Sequence, residues 1–120
     1  MKIVLENIEP LPQPRPKFGK GGKVYQAEKI TAYKNMIGYA AKNAMEGKPP
    51  TLDALKINLR FYRRFKVTSR SFGDCDNLAK AILDACNGVI WADDAQITRL
   101  TVEKHKAETA KIEMEITEVS

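Results

Sequence analysis

Thiol and imidazole chemistry have little to work with in this chain. It holds one histidine and two cysteines, with no CxxC pair, which is too few ligands for a zinc finger or an HExxH protease. Cys75 and Cys86 bracket one expected helix, which puts them roughly 16 Å apart, too far to bridge. A reducing compartment suits them. Cys75 is flanked by Asp74 and Asp76, whose charge raises a thiol pKa, so it makes a poor nucleophile. His105 lies between Lys104 and Lys106, and no Ser/His/Asp set can be assembled around it. No apolar run approaches the roughly 18 residues of a membrane span. The opening MKIVLENIEP lacks the apolar region and cleavage site of a signal peptide. A cytoplasmic protein without a membrane partner is expected. GKGGK at 19–23 is not a phosphate loop, because GxxxxGK[ST] is absent, and no organic cofactor is expected.

What the chain does have is positive charge and clustered aspartate. The net charge is +5 over 120 residues, a length for one domain spanning 1–120 that can bury roughly two-thirds of its unfolded surface. The basic excess falls in two stretches. Residues 10–34 hold Arg15, Lys17, Lys20, Lys23, Lys29 and Lys34 against Glu28 alone. Residues 56–70 hold Lys56, Arg60, Arg63, Arg64, Lys66 and Arg70 with no acid. Two such stretches suggest a polyanion footprint; the plainer alternative is a solvated surface with a basic bias.

The periodicities predict the order β-α-β-α-β-β. Residues 2–8 read as a short strand. Four prolines between 10 and 16 then exclude regular structure, leaving 10–24 as a mobile basic loop, with Phe18 available to stack on a base. A helix is expected over 26–46, with Ile30, Tyr33, Ile37, Ala40, Ala41 and Ala44 as its apolar stripe. Residues 54–65 alternate Leu55, Ile57, Leu59 and Phe61 with Lys56, Asn58, Arg60 and Tyr62, so one face meets the core and the other is polar and basic. A second helix spans 75–87. Strands at 97–103 and 111–118 read as a hairpin joined near residues 104–107. The class is α/β (α+β), a mixed sheet of about four strands covered by two helices.

The chemistry concentrates in residues 73–97, GDCDNLAKAILDACNGVIWADDAQI. Each acid has a plain explanation taken singly. Asp74 and Asp76 suit the first turn of a helix, Asp76–Lys80 and Lys80–Asp84 are i,i+4 pairs, and Asp93 and Asp94 can build a turn. Together they form two acidic pairs that a helix can bring to one sheet edge. Carboxylates 4 Å apart repel by about 4 kcal/mol at an effective dielectric of 20, so a cluster calls for a cation or a shared proton. Such hard oxygen ligands suit Mg²⁺, with Mn²⁺ as a substitute. Lys80 would serve as charge stabiliser or in proton transfer. Asp84, on the same helix, is expected to have no metal role. Trp91 is expected in the core, holding the turn that presents Asp93 and Asp94. Phe72 is either a core plug or a base-stacking wedge.

These residues resemble the RusA family of Holliday junction resolvases. Asp74-Cys75-Asp76-Asn77-Leu78-Ala79-Lys80 follows that family's D-x-D-N-x-x-K pattern, and Trp91-Ala92-Asp93-Asp94-Ala95-Gln96 its W-x-D-D-x-Q pattern. The resemblance implies a homodimer that binds four-way branched DNA and makes paired nicks with Mg²⁺. It implies metal ligands at Asp74, Asp76 and Asp94, with Asp93 secondary, and an essential Lys80. The dense arginine run that family members can carry before the DxD is here Ser69-Arg70-Ser71-Phe72-Gly73. Junction grip is therefore expected to rest on Arg15, Lys17, Lys20 and Lys23, on Arg60, and on Arg63, Arg64, Lys66 and Arg70. The alternatives are a nuclease for flaps or forks, and a non-catalytic basic DNA-binding accessory protein.

Overall fold

The alternation of 54–65 becomes the centre of the molecule. In the computed structural model, which describes residues 1–14 and 23–119, with side chains from residue 27 onward in the helix, strand β2 (Leu55–Arg63) lies between two neighbours. The other elements are β1 (Lys2–Glu6), α1 (Lys23–Met45), α2 (Cys75–Cys86), β3 (Ile97–Lys106) and β4 (Lys111–Glu118). The strand order is β1-β4-β2-β3, with β2 parallel to β3 and antiparallel to β4. The element order and the mixed four-stranded sheet are those expected.

The hairpin is not. β3 and β4 are only a few residues apart in sequence, yet β2 separates them in the sheet. The connection passes the C-terminal end of β2, where Ala107 N–H donates to the Arg63 carbonyl at 2.8 Å and Arg64 Nε donates to the Glu108 carbonyl at 2.7 Å. The β2–α2–β3 unit is therefore a parallel crossover, which needs an intervening helix and cannot be made by a tight turn.

One face of the sheet is buried beneath the helices. Ile3 and Leu5, the alternate residues Leu55 to Phe61, and Ile112, Met114 and Ile116 pack against Ile30, Tyr33, Ile37, Leu78, Ile82 and Trp91. Each large apolar side chain so buried contributes roughly 1.5–3 kcal/mol. Gly38 of α1 is explained by helix packing: a Cβ there would lie 3.3 Å from the Ala85 carbonyl of α2. Among the described residues no helix is long and apolar enough to cross a membrane.

The opposite face is polar, and around Arg60 its positive charge is paired. Arg60 Nε meets Glu113 Oε1 at 3.0 Å, and its Nη2 pairs with Glu115. Tyr62 donates its hydroxyl to Glu113 at 2.6 Å and stacks on His105, whose imidazole meets Glu103 at 2.8 Å. The expectation of a basic strand face around Arg60 is corrected here, because cross-strand acids on β4 neutralise it. The Tyr62 hydrogen bond, then that of Arg60, lowers the Glu113 pKa to about 2. The stability from this lowered pKa is fully present above the ordinary carboxylate value of 4.5 and is lost as pH falls toward about 2. An acid titration of unfolding free energy is expected to steepen in that window, and Glu113→Gln to flatten it.

Candidate active site

The D-x-D segment starts α2 because the chain turns sharply just before it. Gly73 has φ +101°, a left-handed conformation that glycine adopts freely, and a Cβ there would approach Pro12 to 3.2 Å. Asp74 then takes the extended N-cap conformation, and its carboxylate makes no capping hydrogen bond to the helix. Asp76 lies in the first turn, where its Oδ1 accepts from the Asn77 N–H at 2.9 Å. Both acids are exposed. Leu78, Ala79, Ala81, Ile82 and Cys86 bury the other side of α2.

The second acidic pair divides into two jobs. Asp93 caps the short 3-10 turn Asp94–Gln96: its carboxylate accepts from Ala95 N–H at 2.9 Å, and the Gln96 amide oxygen accepts from Asp93 N–H at 2.8 Å. The Gln96 amide nitrogen also donates to the Thr51 and Asp53 carbonyls, at 2.8 and 2.9 Å. This pins the turn to the segment entering β2. Asp94 is held by Trp91, a fully buried residue whose indole N–H donates to its Oδ1 at 2.7 Å. The D-x-x-Q spacing of Asp93 and Gln96 is the capping-box signal, which makes this role of Gln96 legible in the sequence.

Lys80 sits between acids. Its ammonium meets Asp84 Oδ1 at 2.7 Å, and Asp84 Oδ2 meets Lys34 of α1 at 3.4 Å. The hydrogen bond that Lys80 donates to Asp84 raises the Lys80 pKa, with the field of Asp94 adding to it. Burial pushes the Cys86 thiol up to about 12, and Asp94 contributes there as well. Asp94 therefore acts on α2 from the turn, and Lys80 is a cation rather than a base near neutral pH. The i,i+4 pair expected between Lys80 and Asp84 is formed, and Asp84 holds the Lys80 ammonium. Burial works against its ionisation, but Lys80 and Lys34 together leave its pKa lowered.

The donor chemistry of Asp74, Asp76 and Asp94 fits a hard divalent cation. Among the described residues, however, no three His, Cys, Asp or Glu side chains stand grouped as a ready-made site. Mg²⁺ does not require it: that ion keeps several waters and is commonly held by one or two carboxylates together with substrate phosphate oxygens.

The DNA-contact candidates are scattered. Arg15, Lys17, Lys20 and Phe18 lie outside the described residues, and Lys23 opens α1 without a described side chain. Lys66 and Arg70 are exposed in the loop before α2, as is Arg64 at its start. Arg63 is buried at 8% exposure, where Nε meets Glu9 at 2.6 Å and Nη1 donates to the Ser71 and Phe72 carbonyls at 2.9 and 2.7 Å. Phe72 is wholly buried. It is a core plug, and the wedge reading is corrected.

The family model for endodeoxyribonuclease RusA matches residues 7–117. An uncharacterized protein, YqaN, of Bacillus subtilis strain 168 is 30% identical over an alignment covering 93% of this chain and 92% of its own length. The match starts just after β1, takes in both helices, β2, the Asp93–Asp94 turn and β3, and ends within β4, and this chain belongs to the RusA endodeoxyribonuclease family.

Proposed function

We propose that this protein resolves four-way DNA junctions as a homodimer, making paired symmetrical nicks that depend on Mg²⁺. The observation that carries the reading is the family match over residues 7–117, with Asp74 and Asp76 at the exposed start of α2 and Asp94 held by the Trp91 indole. Lys80 is one helical turn beyond Asp76, and it feels the charge of Asp94. Asp74, Asp76 and Asp94 would hold the ion, which when bound polarises the scissile phosphate and makes water a better nucleophile. Asp93 acts through the turn it caps. Lys80, kept protonated by Asp84, stabilises the charge that builds on the phosphate. Trp91 fixes the carboxylate of Asp94 before substrate arrives. Two symmetric nicks need two sites, which is the mechanistic reason for a dimer.

Grip on DNA would come from the exposed Arg64, Lys66 and Arg70 and from the basic side chains of residues 15–23. The test is cutting of a synthetic four-way junction beside a flap, a fork and a linear duplex, each with Mg²⁺ and with EDTA. Paired nicks in the junction that EDTA abolishes support the proposal. Faster cutting of flaps or forks would reassign the substrate, and binding without cutting would make the protein an accessory factor. If about six phosphates are neutralised, log K is expected to fall against log salt with a slope near −5.

A further inference from the structure

We infer that Arg63 and Lys104 are positioning residues that set where Asp74 and Asp76 stand, a proposal that rests on the nuclease reading above. Both project from the core face of adjacent parallel strands. Arg63 continues the phase of Leu55, Ile57, Leu59 and Phe61, and Lys104 pairs in register with Phe61. Arg63 Nη1 donates to the carbonyls of Ser71 and Phe72, and Lys104 Nζ donates to that of Gly73 at 2.9 Å. Three successive carbonyls are thus held from below, and the next residue is Asp74.

The ring between these cations completes the arrangement. Phe72 lies with its centroid 5.8 Å from the Arg63 guanidinium carbon and 5.3 Å from Lys104 Nζ. Arg63 also pairs with Glu9, and the adjoining segment reaches α2 where Gln13 N–H donates to the Asn77 carbonyl at 2.9 Å. The end of β2, the segment that follows β1 and the turn into α2 are therefore joined through one guanidinium. A fork with several fixed donors can do this, and a single ammonium cannot. Arg63 has no donor face turned to solvent on the scale a phosphate contact needs, since it is 8% exposed.

The function of such a clamp is register. A misplacement of about 1 Å in a catalytic group can cost on the order of a hundredfold in rate. Removing Lys104 releases Gly73 without emptying the core, so Lys104→Met is the first variant, with Lys104→Arg as its conservative control. Arg63→Lys is the second, because it keeps the charge and loses the fork.

Three quantities are measured on the full chain: kcat and KM for junction nicking, junction affinity in EDTA, and hydrogen exchange of metal-free protein. Lys104→Met is expected to lower kcat at least about tenfold with KM and affinity within about twofold, an effect on orientation rather than binding. Exchange is expected to quicken at the amides of 73–78 and to stay unchanged across β2 and β4. Lys104→Arg should restore both, and Arg63→Lys should reproduce the loss. A weaker affinity with a salt slope reduced by about 1 at unchanged kcat would make either residue a phosphate contact and overturn the proposal. Faster exchange throughout the sheet, or no change at 73–78, would overturn it as well. If wild type cuts no junction, the nuclease reading fails by that result alone, while local exchange still reports on the clamp.

Discussion

Asp76→Asn is expected to remove junction cutting by roughly a thousandfold, the upper scale for losing one preorganised electrostatic group. Binding should persist or tighten slightly. Asparagine keeps the size and one oxygen of the carboxylate, so the first turn of α2 keeps its shape, including acceptance from Asn77 N–H. What disappears is one negative charge, which weakens a cation site and also lessens repulsion of the DNA phosphates. The check is a nicking time course on a four-way junction beside an affinity measurement in EDTA. A variant that cuts normally would remove Asp76 from the site. A variant that neither cuts nor binds would point to misfolding, and its circular dichroism would show it.

Lys80→Met is expected to lower nicking by about a hundredfold, while Lys80→Arg retains the larger share of activity. The reasoning is the ion pair with Asp84 at 2.7 Å and the resulting rise in the Lys80 pKa. A lysine whose folded pKa is raised above its ordinary 10.5 stays charged throughout the neutral range. Its contribution is lost only when pH rises through that higher value. The pH–rate profile below pH 10 should therefore carry no limb that vanishes in Lys80→Arg. Such a limb would instead mark Lys80 as the group that takes the proton. Asp84→Asn releases both Lys80 and Lys34 and is expected to lower nicking by a smaller factor, about threefold to tenfold, the scale of one charge-assisted hydrogen bond.

The sequence-level expectations succeed where a local signal decides the outcome. Alternation from Leu55 to Phe61 places β2, the DxDN segment starts α2, and Trp91 presents Asp94 as its position suggests. They miss where the deciding partner is distant. The short connection between β3 and β4 implies proximity, but proximity across the end of β2 is not pairing, and no local residue pattern distinguishes the two. Arg60 looks basic because its neutralising acids, Glu113 and Glu115, come from β4. Arg63 was legible and was read differently: its phase is that of Phe61, so the strand itself directs it inward. Lys104 follows the same rule on β3, two residues beyond Val102. A lysine or arginine in the apolar phase of a strand is a sign of a buried hydrogen-bonding duty. The Lys80–Asp84 pair is legible from its i,i+4 spacing, whereas the second partner of Asp84, Lys34, comes from the distant α1.

The place of β4 has an effect on the order of folding. It is the seam that joins β1 to β2, matching Lys2 with Glu115 and Leu55 with Glu118. β1 therefore finds its neighbour only in a strand that lies beyond every other element of the sheet, and pairings this remote in sequence form late. Both aspartate pairs lie between β1 and β4 in the chain, so the platform that aims them is closed by the slowest of its contacts.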